Sequence, residues 1–322
     1  MIRDFGKDAQ GAGVQAISFG AGGLRARVLT HGAILQDLRL EGVDHGLTLG
    51  SDRMADYLGP MCYHGPIVGP VANRISGARA QVGARDCRFE ANEGGRHCLH
   101  SGRSGSHARP WQIAAAGPDH LTLTLDLADG EGGFPGHRRI TALWQALPPA
   151  TLRLTIRTET DAATLVNFTN HSYWNLDGAR DWSGHHLRIA ADRVTEVDAD
   201  LIPTGHLPEV AGTPLDLRVG RAIRPGDPVL DTNFCLSDTP RPLREVLWLT
   251  GQTGLRLALA TTEPGVQVYD NRVPLRPGAA PHEGLAIEPQ HWPDAPHQPG
   301  FPSILLAAGA RRDQITEWRF TR

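Results

Sequence analysis

The chain has 322 residues, 21% of them charged, with 32 basic against 35 acidic side chains and a net charge of −3. With no basic surplus and no Lys/Arg run longer than a pair, it lacks the electrostatic footprint of a nucleic-acid binder. No stretch approaches the ~20 apolar residues of a membrane span, and the N-terminal MIRDFGKDAQGAGVQ lacks the apolar stretch of a secretory signal, so a soluble cytoplasmic protein is expected.

In chain order, the first element with helical character is RMADYLG (53–59), enough for a turn or two. Everything stronger has period two: LTLTLDL (121–127), LRLTIRT (152–158), LRIAADRVTEV (187–197) and LRLALATT (255–262). Alternation of this kind gives a strand one apolar face and one polar face. The 37 Gly and 24 Pro punctuate the chain at short intervals, as in DGEGGFPGH and RPGAAPHEG. Short strands between dense turn signals predict an all-β sandwich or barrel. No Gly/Ser linker, low-complexity tract or repeat offers a place to divide it, so one domain over residues 1–322 is expected. Four cysteines (Cys62, Cys87, Cys98, Cys235) form no C-x-x-C pair, which predicts free and mostly buried thiols.

Chemistry gathers in the stretches between strands. These are GPIVGPVANRISG (65–77), ANEGGRHCLHSG (91–102), NFTNHSYWNLDG (167–178), LIPTGHLPEVAGTPLDLR (201–218), LDTNFCL (230–236), EPGVQVYDN (263–271) and GLAIEPQHWPDAPHQPGFPS (284–303). Taken together, in this order and spacing, they resemble the aldose 1-epimerases, the galactose mutarotase family. The resemblance covers about residues 30–309, and NHSYWNL and AIEPQHWPDAPHQPGFPS are its most distinctive parts.

That resemblance implies a large antiparallel β-sandwich with an open cleft on a concave sheet face. It also implies an isomerase that interconverts the α and β anomers of a reducing aldose. Such a reaction needs one base at the anomeric hydroxyl and one acid at the ring oxygen, and neither metal nor organic cofactor. Each positioned group is typically worth ~10²–10⁴ in rate. By the family pattern Glu288 is the base and His171 the acid, with His100 beside the ring-opening region. Arg74, Asn73, Asp231 and Gln267 match sugar-binding positions. The partner implied is a small-molecule aldose, with the protein a monomer or homodimer.

Read alone, these residues say less. His171 fits equally well as a hydrogen-bonded interior histidine, and an isolated arginine such as Arg74 is usually a solvated surface residue. Trp292 is either a wall for Glu288 or a core residue. An imidazolium at His171, the stronger acid, predicts a bell-shaped pH profile, and a neutral imidazole lending its N–H predicts a plateau on the alkaline side.

Three other readings compete. A glycoside hydrolase needs two carboxylates about 5–9.5 Å apart, with Asp231 or Asp294 as the partner of Glu288. A silent sugar-binding relative could dispense with Glu288 or His171. A cupin-like metal enzyme needs convergent histidines, yet adjacent His185 and His186 point to opposite faces of a strand. Four positions depart from the common family pattern: Pro70, Ser101, Thr232 and Asp270. They bear on which sugar is preferred.

Overall fold

A computed structural model describes residues 1–322. Three antiparallel sheets dominate it. A four-stranded meander runs Ile2–Lys7, Gly13–Ala21, Leu24–Leu29 and Leu35–Leu40. A nine-stranded sheet has the spatial order Gln112–Ala116, His120–Leu127, Arg138–Leu147, Thr151–Thr160, Arg311–Thr321, Arg256–Thr261, Arg244–Thr250, His186–Ile189 and Arg221–Ala222. The five-stranded sheet has the order Tyr173–Trp174, Leu285–Gln290, Gly265–Tyr269, Asp231–Cys235 and Arg193–Val194. Arg311–Thr321, the last strand in sequence, therefore lies at the centre of the largest sheet, between Thr151–Thr160 and Arg256–Thr261.

The alternating runs form strands because every second residue is apolar and buried. In Arg138–Leu147, Ile140, Ala142, Trp144 and Ala146 point inward, and their neighbours are partly or fully exposed. The largest apolar cluster joins residues of all three sheets, among them Phe19, Val28, Leu123, Trp144, Leu154, Trp318, Val266 and Ile287. Sheet-on-sheet packing is the means by which sheets with one apolar face bury it.

Helix is confined to Met54–Tyr57 and a few 3₁₀ turns. One expected strand is in fact two. The run 187–197 breaks at Ala190–Asp192, so His186–Ile189 joins the nine-stranded sheet and Arg193–Val194 joins the five-stranded one. Uninterrupted alternation hides such a change of sheet. All four cysteines are free, three of them buried.

Candidate active site

The five-stranded sheet sorts its side chains strictly by alternation. Trp174, Leu285, Ile287, Val266, Val268 and Phe234 face the apolar core. The opposite face carries Tyr173, Glu288, Gln290, Gln267, Asp231 and Asn233. Register then lines these up. Gln267 pairs with Glu288 on one side and with Asn233 on the other. Tyr173 pairs with Ala286, and the same register carried two residues further sets His171 opposite Glu288. One row across the sheet therefore reads His171, Glu288, Gln267, Asn233.

His171 itself lies between short ladders. Its backbone N–H donates to Pro66 O and its carbonyl accepts from Gly65 N–H, both at 2.9 Å. The Asn170 side chain donates to Gly65 O at 2.8 Å. At Gly69 any Cβ would fall 2.0 Å from the Phe168 ring, so only glycine lets these two segments meet so closely.

His171 Nε2 lies 3.4 Å from Glu288 Oε1. Both residues sit deep, at 5% and 2% exposure. Burial governs their protonation. It raises Glu288 well above the usual carboxylate range, with the Asp231 charge adding to the effect. It lowers His171 to about 4. Burial thus favours the neutral imidazole of His171 over the imidazolium.

The loops around ANRI and LHSG bring up the next group. Asn73, with φ +61°, turns its N–H onto His100 Nδ1 at 3.0 Å and accepts Arg74 N–H on its own Oδ1 at 2.9 Å. The His100 ring stands edge-on to His171, 5.3 Å between centroids. Arg74 is gripped by Glu93 through Nε and Nη2, each 2.8 Å from a carboxylate oxygen. Gln267 Nε2 donates to Asp231 Oδ1 at 2.8 Å. A small pocket lined by Asn73, Arg74, Asp231, Asn233 and Gln267, among others, opens here. Burial raises Asp231 too, against the opposing pull of Arg74 and Arg272. A larger polar groove beside Arg25, Gln36 and Asp52 contains none of these residues.

His100, His171 and Glu288 present three donor atoms within 4.8 Å of one another, the donor set of a metal centre. The hydrogen bond to His100 argues against that use. Because Nδ1 accepts from a backbone N–H, the neutral ring carries its proton on Nε2 and can only donate there. Metal-binding histidines show the reverse arrangement, in which the second nitrogen donates. His100 is built to donate to an oxygen.

The seven proposed site residues, Glu288, His171, His100, Asn73, Arg74, Asp231 and Gln267, lie in this region, and the two buried polar departures, Ser101 and Asp270, have local duties. Ser101 clamps Val71, accepting its N–H and donating to its carbonyl. Asp270 holds Arg272 through both carboxylate oxygens. Thr232 sits on the other face of its strand from Asp231, and the Pro70 carbonyl accepts Asn167 N–H.

Trp292 is core, 1% exposed, with its ring edge-on to Phe301 and its indole N–H on Pro264 O. Asp294 Oδ1 accepts Ser76 N–H and binds the His297 ring. His185 is buried and His186 exposed, as alternation predicts.

Sequence reasoning missed Tyr63, whose ring packs 4.7 Å from His100, 5.0 Å from His107 and 6.0 Å from His171. It also missed Glu93 and Tyr173, which stand inside quoted motifs without an assigned role.

The chain matches the family model described as aldose 1-epimerase over residues 15–319. It is 31% identical to the galactose mutarotase of Bos taurus over 98% of this chain and 97% of that one. It is likewise 31% identical to the aldose 1-epimerase of Haemophilus influenzae over 80% and 81% of the two chains. Among solved structures, an aldose epimerase homologue from C. elegans superposes with a TM-score of 0.87 at 25% identity, covering 95% of this chain and 99% of that one. The galactose 1-epimerase of Lactobacillus acidophilus gives 0.86 at 22% identity, covering 100% and 98%.

Proposed function

The chain belongs to the aldose 1-epimerase family, and from that premise we propose that Glu288 and His171 carry out its anomer interconversion as general base and general acid. The enzyme is an isomerase acting on a reducing aldose. Glu288, as the carboxylate, takes the proton of the anomeric hydroxyl. His171 lends its Nε2–H to the ring oxygen as the C1–O bond breaks. The proton that oxygen takes is made good by the one Glu288 has just accepted, 3.4 Å from Nε2, so the imidazole and the carboxylate end as they began. The open aldehyde turns about C1–C2, and closure from either face reverses the transfer and gives either anomer.

The 3.4 Å separation of His171 Nε2 and Glu288 Oε1 carries this reading. The anomeric and ring oxygens share one carbon, so their base and acid must be near neighbours. Burial supports the assignment as well, because a carboxylate that holds its proton more tightly is a stronger base.

His100 donates through Nε2 beside the ring. Asn73, Arg74, Asp231 and Gln267 hold hydroxyls further along, an ionised acceptor making the stronger bonds. We read the chain as one domain, placed in the cytoplasm; no helix is long and apolar enough to cross a membrane.

Glu288→Gln keeps the shape and removes the proton acceptor. Expected is loss of all but a few per cent of anomer exchange, on the usual scale for an acid–base residue, with sugar still bound. Polarimetry or NMR exchange with galactose, glucose, arabinose, xylose, rhamnose and fucose measures it. Retention of wild-type turnover would remove Glu288 as the base.

A further inference from the structure

We propose that Glu263 is a positioning residue for the Glu288–His171 pair, an inference that rests on the acid–base reading above. Between Leu165 and Tyr173 the chain is held by short pieces of backbone pairing to residues 65–72 and Ile304, and by buried side-chain bonds besides. Gln314 grips Phe168 on both sides, accepting its N–H at 2.9 Å and donating to its carbonyl at 2.8 Å. Asn167 grips His291 in the same way, accepting its backbone N–H at 2.8 Å and donating to its carbonyl at 3.4 Å.

These two grips meet at one carboxylate. Glu263 Oε2 accepts from Gln314 Nε2 and from the His291 ring at Nδ1, each at 2.9 Å, and Oε1 accepts from Thr262 Oγ1 at 3.0 Å. Glu263, His291, Gln314 and Asn167 are 2%, 1%, 4% and 1% exposed.

The consequence is a direct mechanical link. Phe168 lies three residues before His171, and His291 lies three residues after Glu288. Glu263 joins the two by bonds that are charge-assisted and shielded from water, hence stiff. It lines no part of the sugar pocket. Its effect falls on the spacing of acid and base, where a misplacement of about 1 Å can cost ~10²-fold in rate. A residue that only held the fold together would act on stability without singling out turnover.

Glu263→Gln keeps the shape but removes the charge, so the bonds to Gln314 and His291 lose their charge assistance and the amide NH2 is left to the Thr262 hydroxyl. In anomer exchange, kcat should fall roughly tenfold or more while KM stays within about twofold, the pattern of a lost transition-state arrangement. In a His171→Asn background the same change should cost little further, because coupled residues are not additive.

His291→Leu and His291→Gln provide a second pair that leaves Glu263 in place. Leu should lower kcat, and Gln, which can still reach the carboxylate, should restore most of it. Unchanged kcat in Glu263→Gln or His291→Leu, or a full additional loss in the His171→Asn background, overturns the proposal. An inactive wild-type protein would instead strike at the acid–base reading itself.

Discussion

The nine-stranded and five-stranded sheets solve opposite problems. In the first, Arg138–Leu147 and Thr151–Thr160 pair without interruption over ten residues, and their inward side chains are mostly aliphatic or Trp. In the second, the strands run from two to six residues, and Leu285–Gln290 is buried on both faces. Its site face carries Asp231, Asn233, Gln267, Glu288 and Gln290, and the amides of Asn233 and Gln290 find no protein partner.

A fully buried Leu or Ile contributes about 1.5–3 kcal/mol. A buried polar group without a partner costs about 1–3 kcal/mol. One sheet therefore supplies the stability that the other spends on chemistry.

The largest effect that separates them should be kinetic. His171→Asn should lower kcat/KM by ~10²–10⁴ and leave unfolding nearly unchanged. The pH profile sharpens the point. Glu288 must be ionised to act as base, so activity should rise with pH through an ionisation that burial has moved above the usual carboxylate range. His171, lowered to about 4, is already neutral there, so the profile should stay level on the alkaline side. An alkaline decline that disappears in His171→Asn would restore the imidazolium as donor.

Next in size is the converse change in the stabilising sheet. Leu154→Ala, at a residue 2% exposed in the main core, should cost about 2–5 kcal/mol in denaturant unfolding. The folded fraction should keep its kcat. A parallel fall in kcat would mean that the two sheets do not divide the work in this way.

The smallest effect tests the cost of polarity directly. Gln290→Met replaces an amide without a protein partner by an apolar chain of similar length. It should raise stability by about 1 kcal/mol. A loss of stability would show that the amide is satisfied after all and that the site face is cheaper than it looks.

The stabilising sheet was legible from the sequence because each of its strands meets the core with one face, which leaves a period-two signature. The proposed site was legible for a different reason: His171, Glu288, Gln267 and Asp231 stand in motifs that match a known family, whereas read alone His171 fits an interior histidine as well. What escaped depends on distant parts of the chain. Tyr63 has no local pattern to mark it, since its place is defined by histidines 37 to 108 positions away. Glu93 matters only because Arg74 lies across from it. The break at Ala190–Asp192 left the alternation intact on both sides, so nothing local announced it.

Biosynthesis gives the central placement of Arg311–Thr321 a further meaning. Thr151–Thr160 and Arg256–Thr261 emerge from the ribosome with no partner between them, and at about 5–20 residues per second they wait for many seconds. Until Thr321 has been made, the largest sheet stays open along two long inner edges, the kind of surface that invites pairing with another chain. Domains that fold piece by piece during synthesis avoid that interval; this one presents those edges until Arg311–Thr321 arrives. Chains stopped at residue 300 should accordingly be open to protease and prone to associate, whereas the full chain resists both.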